Sequence, residues 1–255
     1  MTFARVDDDN IQCFRGAYFA GVTFLPYHAE MHRNRERSLA YRWIQDGIVK
    51  ALGLPEYDGR RLADRASPPP SLSAQNFYRG GGAPRLLIVQ RRKRTIANVS
   101  WIAETGRHLG FNVLLTYFEG MPFAAQYALV RYADVFLSIH GMALQWAFAM
   151  DGTTPASRGC RTVIELRHFV KPFPLRLQFY RIVTSSANLS YVEIPAKSAV
   201  MGESVERPAQ ELRRLMRERV PFELKGFHDQ TASYENELVS NALAEAYKKA
   251  LSCPA

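Results

Sequence analysis

Three groups of side chains in this chain are of the types that do chemistry on anions and hydroxyl groups. The first is Gln90-Arg91-Arg92-Lys93-Arg94-Thr95-Ile96-Ala97-Asn98. Guanidinium groups match phosphate oxygens in a bidentate fashion and keep their charge at every working pH. The four cations of this run would cradle a diphosphate; the same run also reads as a solvated basic loop or a nucleic-acid patch. The second is His140-Gly141. Glycine permits positive φ and close backbone approach. A histidine titrates near neutral pH, so His140 would donate to a phosphate oxygen, act as an acid or base, or simply hold a turn. The third is Glu165, inside Thr162-Val163-Ile164-Glu165-Leu166. A carboxylate in an apolar strand needs a partner. Sugar or ribose hydroxyls would serve, and so would a salt bridge to Arg167 or Arg94. Gln126, in Phe123-Ala124-Ala125-Gln126, reads as a buried hydrogen-bonding residue.

The elements that must position these residues follow from apolar periodicity. Residues 86–89 read as a short strand feeding the arginine run. Asn98 then caps a helix through Leu109, with Gly110 at its C-terminal position. Residues 111–118 form a second strand and 122–132 a short helix. The run 135–139 is a third strand, ending in His140-Gly141 before a helix over 142–150. Residues 162–166 form a fourth strand and 191–194 a fifth. Strands alternating with helices predict an α/β fold, a Rossmann-like doubly wound parallel sheet. In such sheets ligands sit at the carboxyl ends of strands, near helix N-termini that favour anions.

Composition sets the outer limits. Hydrophobic residues at 47% and aromatics at 12% supply a core, and the net charge of +9 points to an anionic partner or surface. Cys13, Cys160 and Cys253 are far apart and odd in number, which argues against a disulfide framework and a zinc site. No apolar run reaches the roughly 18 residues of a membrane span. The N-terminus, with Asp7, Asp8 and Asp9, does not read as a secretory signal. Two sequons occur, Asn98-Val99-Ser100 and Asn188-Leu189-Ser190. The common phosphate-loop, dinucleotide, nucleophile-elbow and metalloprotease motifs do not occur, and the sheet region has no Asp-x-Asp pair. No metal and no cofactor is expected. The arginine run has no aromatic platform, so nucleic acid is not the expected partner.

Four segments are expected: a lead-in over 1–55 with one helix, a Pro/Gly-rich linker or loop over 56–84, the Rossmann-like domain over 85–200, and C-terminal helices over 201–255. The lead-in helix has Leu39, Trp43, Ile44, Ile48 and Leu52 on one face, behind Ser38; Cys13-Phe14 and 17–25 read as extended. In the tail, Leu212, Leu215 and Met216 mark one helix. Val239, Ala242, Leu243, Ala246, Tyr247, Ala250 and Leu251 mark another.

Taken in order, these pieces resemble the catalytic region of glycosyltransferase family 61, which includes plant xylosyl- and arabinosyltransferases and animal protein O-linked N-acetylglucosaminyltransferases. The resemblance runs through Arg91/Arg94-Thr95-Ile96-Ala97-Asn98, Gly110-Phe111-Asn112-Val113, Glu119, Gln126, Ala133-Asp134-Val135, His140-Gly141-Met142-Ala143-Leu144 and Val163-Ile164-Glu165-Leu166. Cys13-Phe14, Tyr180, Asn188-Leu189 and Tyr191 extend it over about residues 12–195. Met142 stands where the family has a small alanine, and the loop over 151–159 is longer than the family's turn. The resemblance implies the C-terminal half of a GT-B enzyme, binding a UDP-sugar for inverting transfer to a glycan or glycoprotein hydroxyl without a metal. It implies donor contacts from Arg91, Arg94, Asn98, Gln126, His140, Gly141 and Glu165, with His140 the candidate catalytic group. It also implies a partial chain, a Golgi or endoplasmic reticulum lumen location, and membrane attachment only through an anchor outside this chain.

Overall fold

A computed structural model describes residues 45–52, 77, 82–150, 159–167, 179–201, 207–208 and 230–252. Its centre is a five-stranded, all-parallel sheet in the order β3-β1-β4-β5-β6. The strands are β1 (Arg85–Gln90), β3 (Asn112–Tyr117), β4 (Val135–Ile139), β5 (Thr162–Arg167) and β6 (Ser190–Pro195). All five expected strands are present, each within a residue or two of its expected ends. β1 and β4 are buried throughout, the sign of a sheet covered on both faces.

Strand alternation divides the core. Leu87, Val89, Phe136 and Val163 pack under α2 (Phe123–Tyr132), a 3-10 helix (Met142–Ala149) and α3 (Phe179–Ser186). Leu86, Ile88, Leu137 and Ile164 pack under α1 (Val99–His108) and α4 (Asn236–Ser252). The chain leaves β1 on the α1 face and β3 on the α2 face. The strand order therefore reverses between β1 and β4, and that is the switch point at which open α/β sheets bind ligands. The arginine run follows β1, and His140-Gly141 follows β4.

A second sheet, β2-β9-β7-β8, stands beyond the sequence expectations. It joins β2 (Thr95–Ile96) to β9 (Gln230–Ser233) in parallel, with β7 (Ser198–Met201) and β8 (Arg207–Pro208) antiparallel beyond. The C-terminal part is thus strand and helix, not helices alone. α4 carries the expected stripe, with Val239, Leu243 and Ala246 buried, but Leu251 is exposed. The segment after Gly141 also departs from expectation, winding as a 3-10 helix. Leu144, Ala147 and Met150 are fully buried at intervals of three residues, and three residues per turn stacks them on one face.

Gly110 has φ +99 and ends α1 as expected, its amide reaching back to Arg107 O at 2.9 Å. The lead-in helix is seen over 45–51. Its Ser38 cap, the extended lead-in, most of the linker and the helix around Leu212 lie outside the described residues. Cys160 is disulfide-bonded, contrary to the expectation from cysteine count; its partner lies outside the described residues.

Two outcomes follow. A Cβ at Gly106, in α1, would come within 2.6 Å of Leu86 Cδ2 and 3.2 Å of Val113 Cγ2. Gly106→Val should lower stability by about 1–3 kcal/mol in thermal or urea unfolding, the usual cost of overpacking; an unchanged midpoint would mean α1 is not seated on β1 and β3. Denatured, unreduced protein should show one reactive thiol from its three cysteines; three reactive thiols would rule out the disulfide.

Candidate functional site

Gln90 closes the arginine loop. It ends β1 and is buried, and its side-chain carbonyl accepts from the Arg91 and Ile96 amides at 3.2 and 3.0 Å. Its Nε2 donates to Ile96 O at 3.1 Å. One amide thus pins both ends of the 91–96 arch. Thr95 Oγ1 meets Thr231 Oγ1 at 2.7 Å, fastening the far end to β9. Glu119 Oε1 accepts from the Arg92 amide at 3.2 Å. Arg94 adopts φ +59, a left-handed conformation that costs a non-glycine residue about 1–2 kcal/mol. Such outliers point to function when the surroundings enforce them.

That conformation brings Arg94 beside Arg91, both against Gly141. Gly141 has φ +154, and a Cβ there would collide with Arg91 Nη1 and lie 3.7 Å from Arg94 Nη1. Arg94 Nη1 reaches His140 O at 3.5 Å. Burial and then the neighbouring Arg91 lower the Arg94 pKa. Two guanidiniums are therefore held together at the end of β4, where an anion would relieve their repulsion.

β-strand alternation assembles the other half. The register pairs Ser138 with Glu165 and Glu165 with Glu193. His140, Glu165, Tyr191 and Glu193 consequently face the same side of the sheet. His140 Nδ1 pairs with Glu165 Oε1, and the Tyr191 hydroxyl donates to Glu165 Oε2. Arg167 Nη1 lies 3.4 Å from Glu165 Oε1, and its Nε 3.3 Å from Glu193 Oε1. Tyr191 Oη is also 3.2 Å from Glu193 Oε2. The Glu165 side chain is only 1% exposed, against 20% for His140. Burial pushes the Glu165 carboxyl up, but hydrogen bonds and charge from His140, Tyr191 and Arg167 outweigh it, and its pKa lies below the ordinary value. Burial and then the Glu165 charge raise both Tyr191 and Tyr180, so both stay hydroxyls. The Tyr180 ring meets His140 edge-on, with centroids 5.1 Å apart.

Arg91, Arg94, His140, Gly141 and Glu165 are thus brought together. The salt bridge from Glu165 to Arg167, one of the two alternatives read from sequence, is present; a ribose contact would require Glu165 to exchange a partner. Gln126 and Asn98 have other engagements. Gln126 Nε2 donates to Phe118 O and Met121 O, holding the turn before α2. It also lines a cleft of about 400 Å³ whose walls include Arg91, Phe118, Phe123 and Trp146. Asn98 makes no side-chain cap; its Nδ2 donates to Tyr234 O and Asn236 Oδ1, joining α1 to the start of α4. Sequence reasoning missed the loop-closing role of Gln90, the aromatic wall and the partnership of Tyr191 with Glu165. The Tyr-x-Glu alternation in β6 was the available signal for the last.

Among the described residues no group of three or more His, Cys, Asp or Glu is placed to hold a metal ion. No described helix is long and apolar enough to cross a membrane. No protein-family model matches the chain, and no curated protein matches it.

The Glu165 shift has a definite sign. A carboxyl whose folded pKa is depressed adds stability that is fully present above the ordinary value of 4.5 and is lost as pH falls through the folded value. Glu165→Gln should therefore flatten the acid limb of the stability–pH curve below about pH 4.5, measured by urea unfolding. An acid limb of unchanged slope would show that Glu165 carries no such linkage.

Proposed function

We propose that this chain is a glycosyltransferase domain that moves a sugar from a UDP-sugar to a hydroxyl of a glycan or protein, with inversion at the anomeric carbon. The observation that carries this reading is the convergence of Arg91 and Arg94 on Gly141 at the switch point of a doubly wound sheet. In an inverting displacement a base takes the acceptor proton while the departing diphosphate is stabilised electrostatically. Arg91, Arg94 and the amides after Gly141 supply that stabilisation, and His140 lies beside them. The aromatic cleft adjoining Arg91 is of a size to receive one further ring of donor or acceptor. The Cys160 disulfide supports an oxidising compartment, as the Golgi or endoplasmic reticulum lumen would be.

A second reading is favoured by the same arginine pair, which suffices to bind an anion without any reacting group: a nucleotide- or polyanion-binding module. Calorimetry with UDP and a donor-hydrolysis assay separate the two. UDP binding with sugar release supports the transferase; UDP binding with none, for every donor offered, supports the module.

Arg91→Ala and Arg94→Ala should each weaken UDP binding by about 1.5–3 kcal/mol, the range for hydrogen bonds to charged groups. Unchanged affinity in both variants would remove the diphosphate from this site.

A further inference from the structure

We propose that Glu165 is a positioning residue, held by Tyr191 and Arg167, that keeps the proton of neutral His140 on Nδ1 and makes Nε2 the lone-pair nitrogen. A carboxylate facing one imidazole nitrogen selects the tautomer protonated there. Glu165 faces Nδ1 and stays ionised because three partners stabilise its charge. It is also hard to displace. Tyr191 fixes its second oxygen, while Arg167 spans both Glu165 and the register-paired Glu193. Around the ring stand Arg91 and Arg94 from the β1 loop, Glu165 and Arg167 on β5, Tyr180 on α3, and Tyr191 and Glu193 on β6. Of these groups the one in contact with Nδ1 is Glu165.

This deepens the transferase reading and rests on it for one consequence. A neutral ring with its proton on Nδ1 cannot donate from Nε2 to a phosphate; it accepts. His140 then takes the acceptor's hydroxyl proton on Nε2. The hydroxyl oxygen forms its bond to the anomeric carbon, and the carbon–phosphate oxygen bond breaks with its electron pair leaving on the diphosphate. The imidazolium that results sits beside Glu165, which stabilises it. The roles read from sequence are thereby reordered: Glu165 serves His140 and not the ribose.

The tautomer is read directly by long-range proton–nitrogen NMR of protein labelled at the histidine ring nitrogens, at a pH where the rings are neutral. The His140 signals are assigned by their loss in His140→Asn. The expected wild-type spectrum shows a protonated Nδ1 and an unprotonated Nε2; the reverse overturns the proposal without any variant. In Glu165→Leu the Nε2-protonated form should gain, and its failure to gain would also overturn it. Tyr191→Phe, which keeps the ring and removes only the hydroxyl, should lower kcat at least tenfold while donor KM changes less than threefold. An equal rise in KM would mark a merely structural role for Tyr191 and overturn its part. Wild-type protein that shows the expected tautomer but binds no UDP would refute the transferase reading and leave the Glu165–His140 pair standing.

Discussion

A carboxylate buried in the middle of a parallel sheet is the constraint around which this site is built. An unpaired ionised group at the depth of Glu165 would cost several kcal/mol. The fold meets that demand with three partners from three places: His140 after β4, Tyr191 on β6 and Arg167 two residues along β5. Each lies where strand pairing puts it. Parallel register aligns Ser138, Glu165 and Glu193 across the sheet, and two-residue alternation turns His140 and Tyr191 to the same face. A register slip of one residue would turn Glu165 to the other face, away from these partners. The polar site and the sheet register therefore specify each other.

The cationic half depends on a different device. Two arginines do not approach each other on electrostatic grounds, so the loop must be forced. Gln90 closes the arch, the β2–β9 pairing fastens it, and the left-handed turn at Arg94 bends its side chain back towards Gly141. A Cβ at position 141 would push the Arg91 guanidinium from the place it holds beside Arg94. The energy stored in this arrangement is small beside the burial of β1 and β4, which is why a rigid sheet can hold it.

Much of the central sheet was legible because its strands are apolar runs of five or six residues flanked by turn signals. Arg91, Arg94, His140 and Glu165 were legible for the complementary reason: each is a polar interruption where an apolar strand ends or should continue. Long-range facts were not legible. β9, with sequence Gln-Thr-Ala-Ser, has little strand character of its own and exists through pairing with β2 and β7. The 3-10 winding after Gly141 follows from burial at every third residue, which an apolar segment such as Met142–Ala149 does not reveal without its neighbours. Asn98 stands at the expected N-terminal position, yet its side chain serves a junction with residues 234–236 that lies far along the chain. The Cys160 disulfide is likewise a matter of spatial, not sequential, proximity.

The two halves meet at His140, whose backbone carbonyl faces Arg94 and whose ring faces Glu165. The ring thus sits in a gradient, with positive charge towards the β1 loop and negative charge towards β5. A ligand with phosphate at the arginines reverses the first of these fields. In the proposed reaction, charge builds up on the leaving diphosphate as the acceptor loses its proton, so the ring becomes cationic between two anions just when it gains that proton. In the proposed reaction the arginine pair would thus hold the leaving diphosphate, and Glu165 would stabilise the imidazolium that proton transfer leaves at His140.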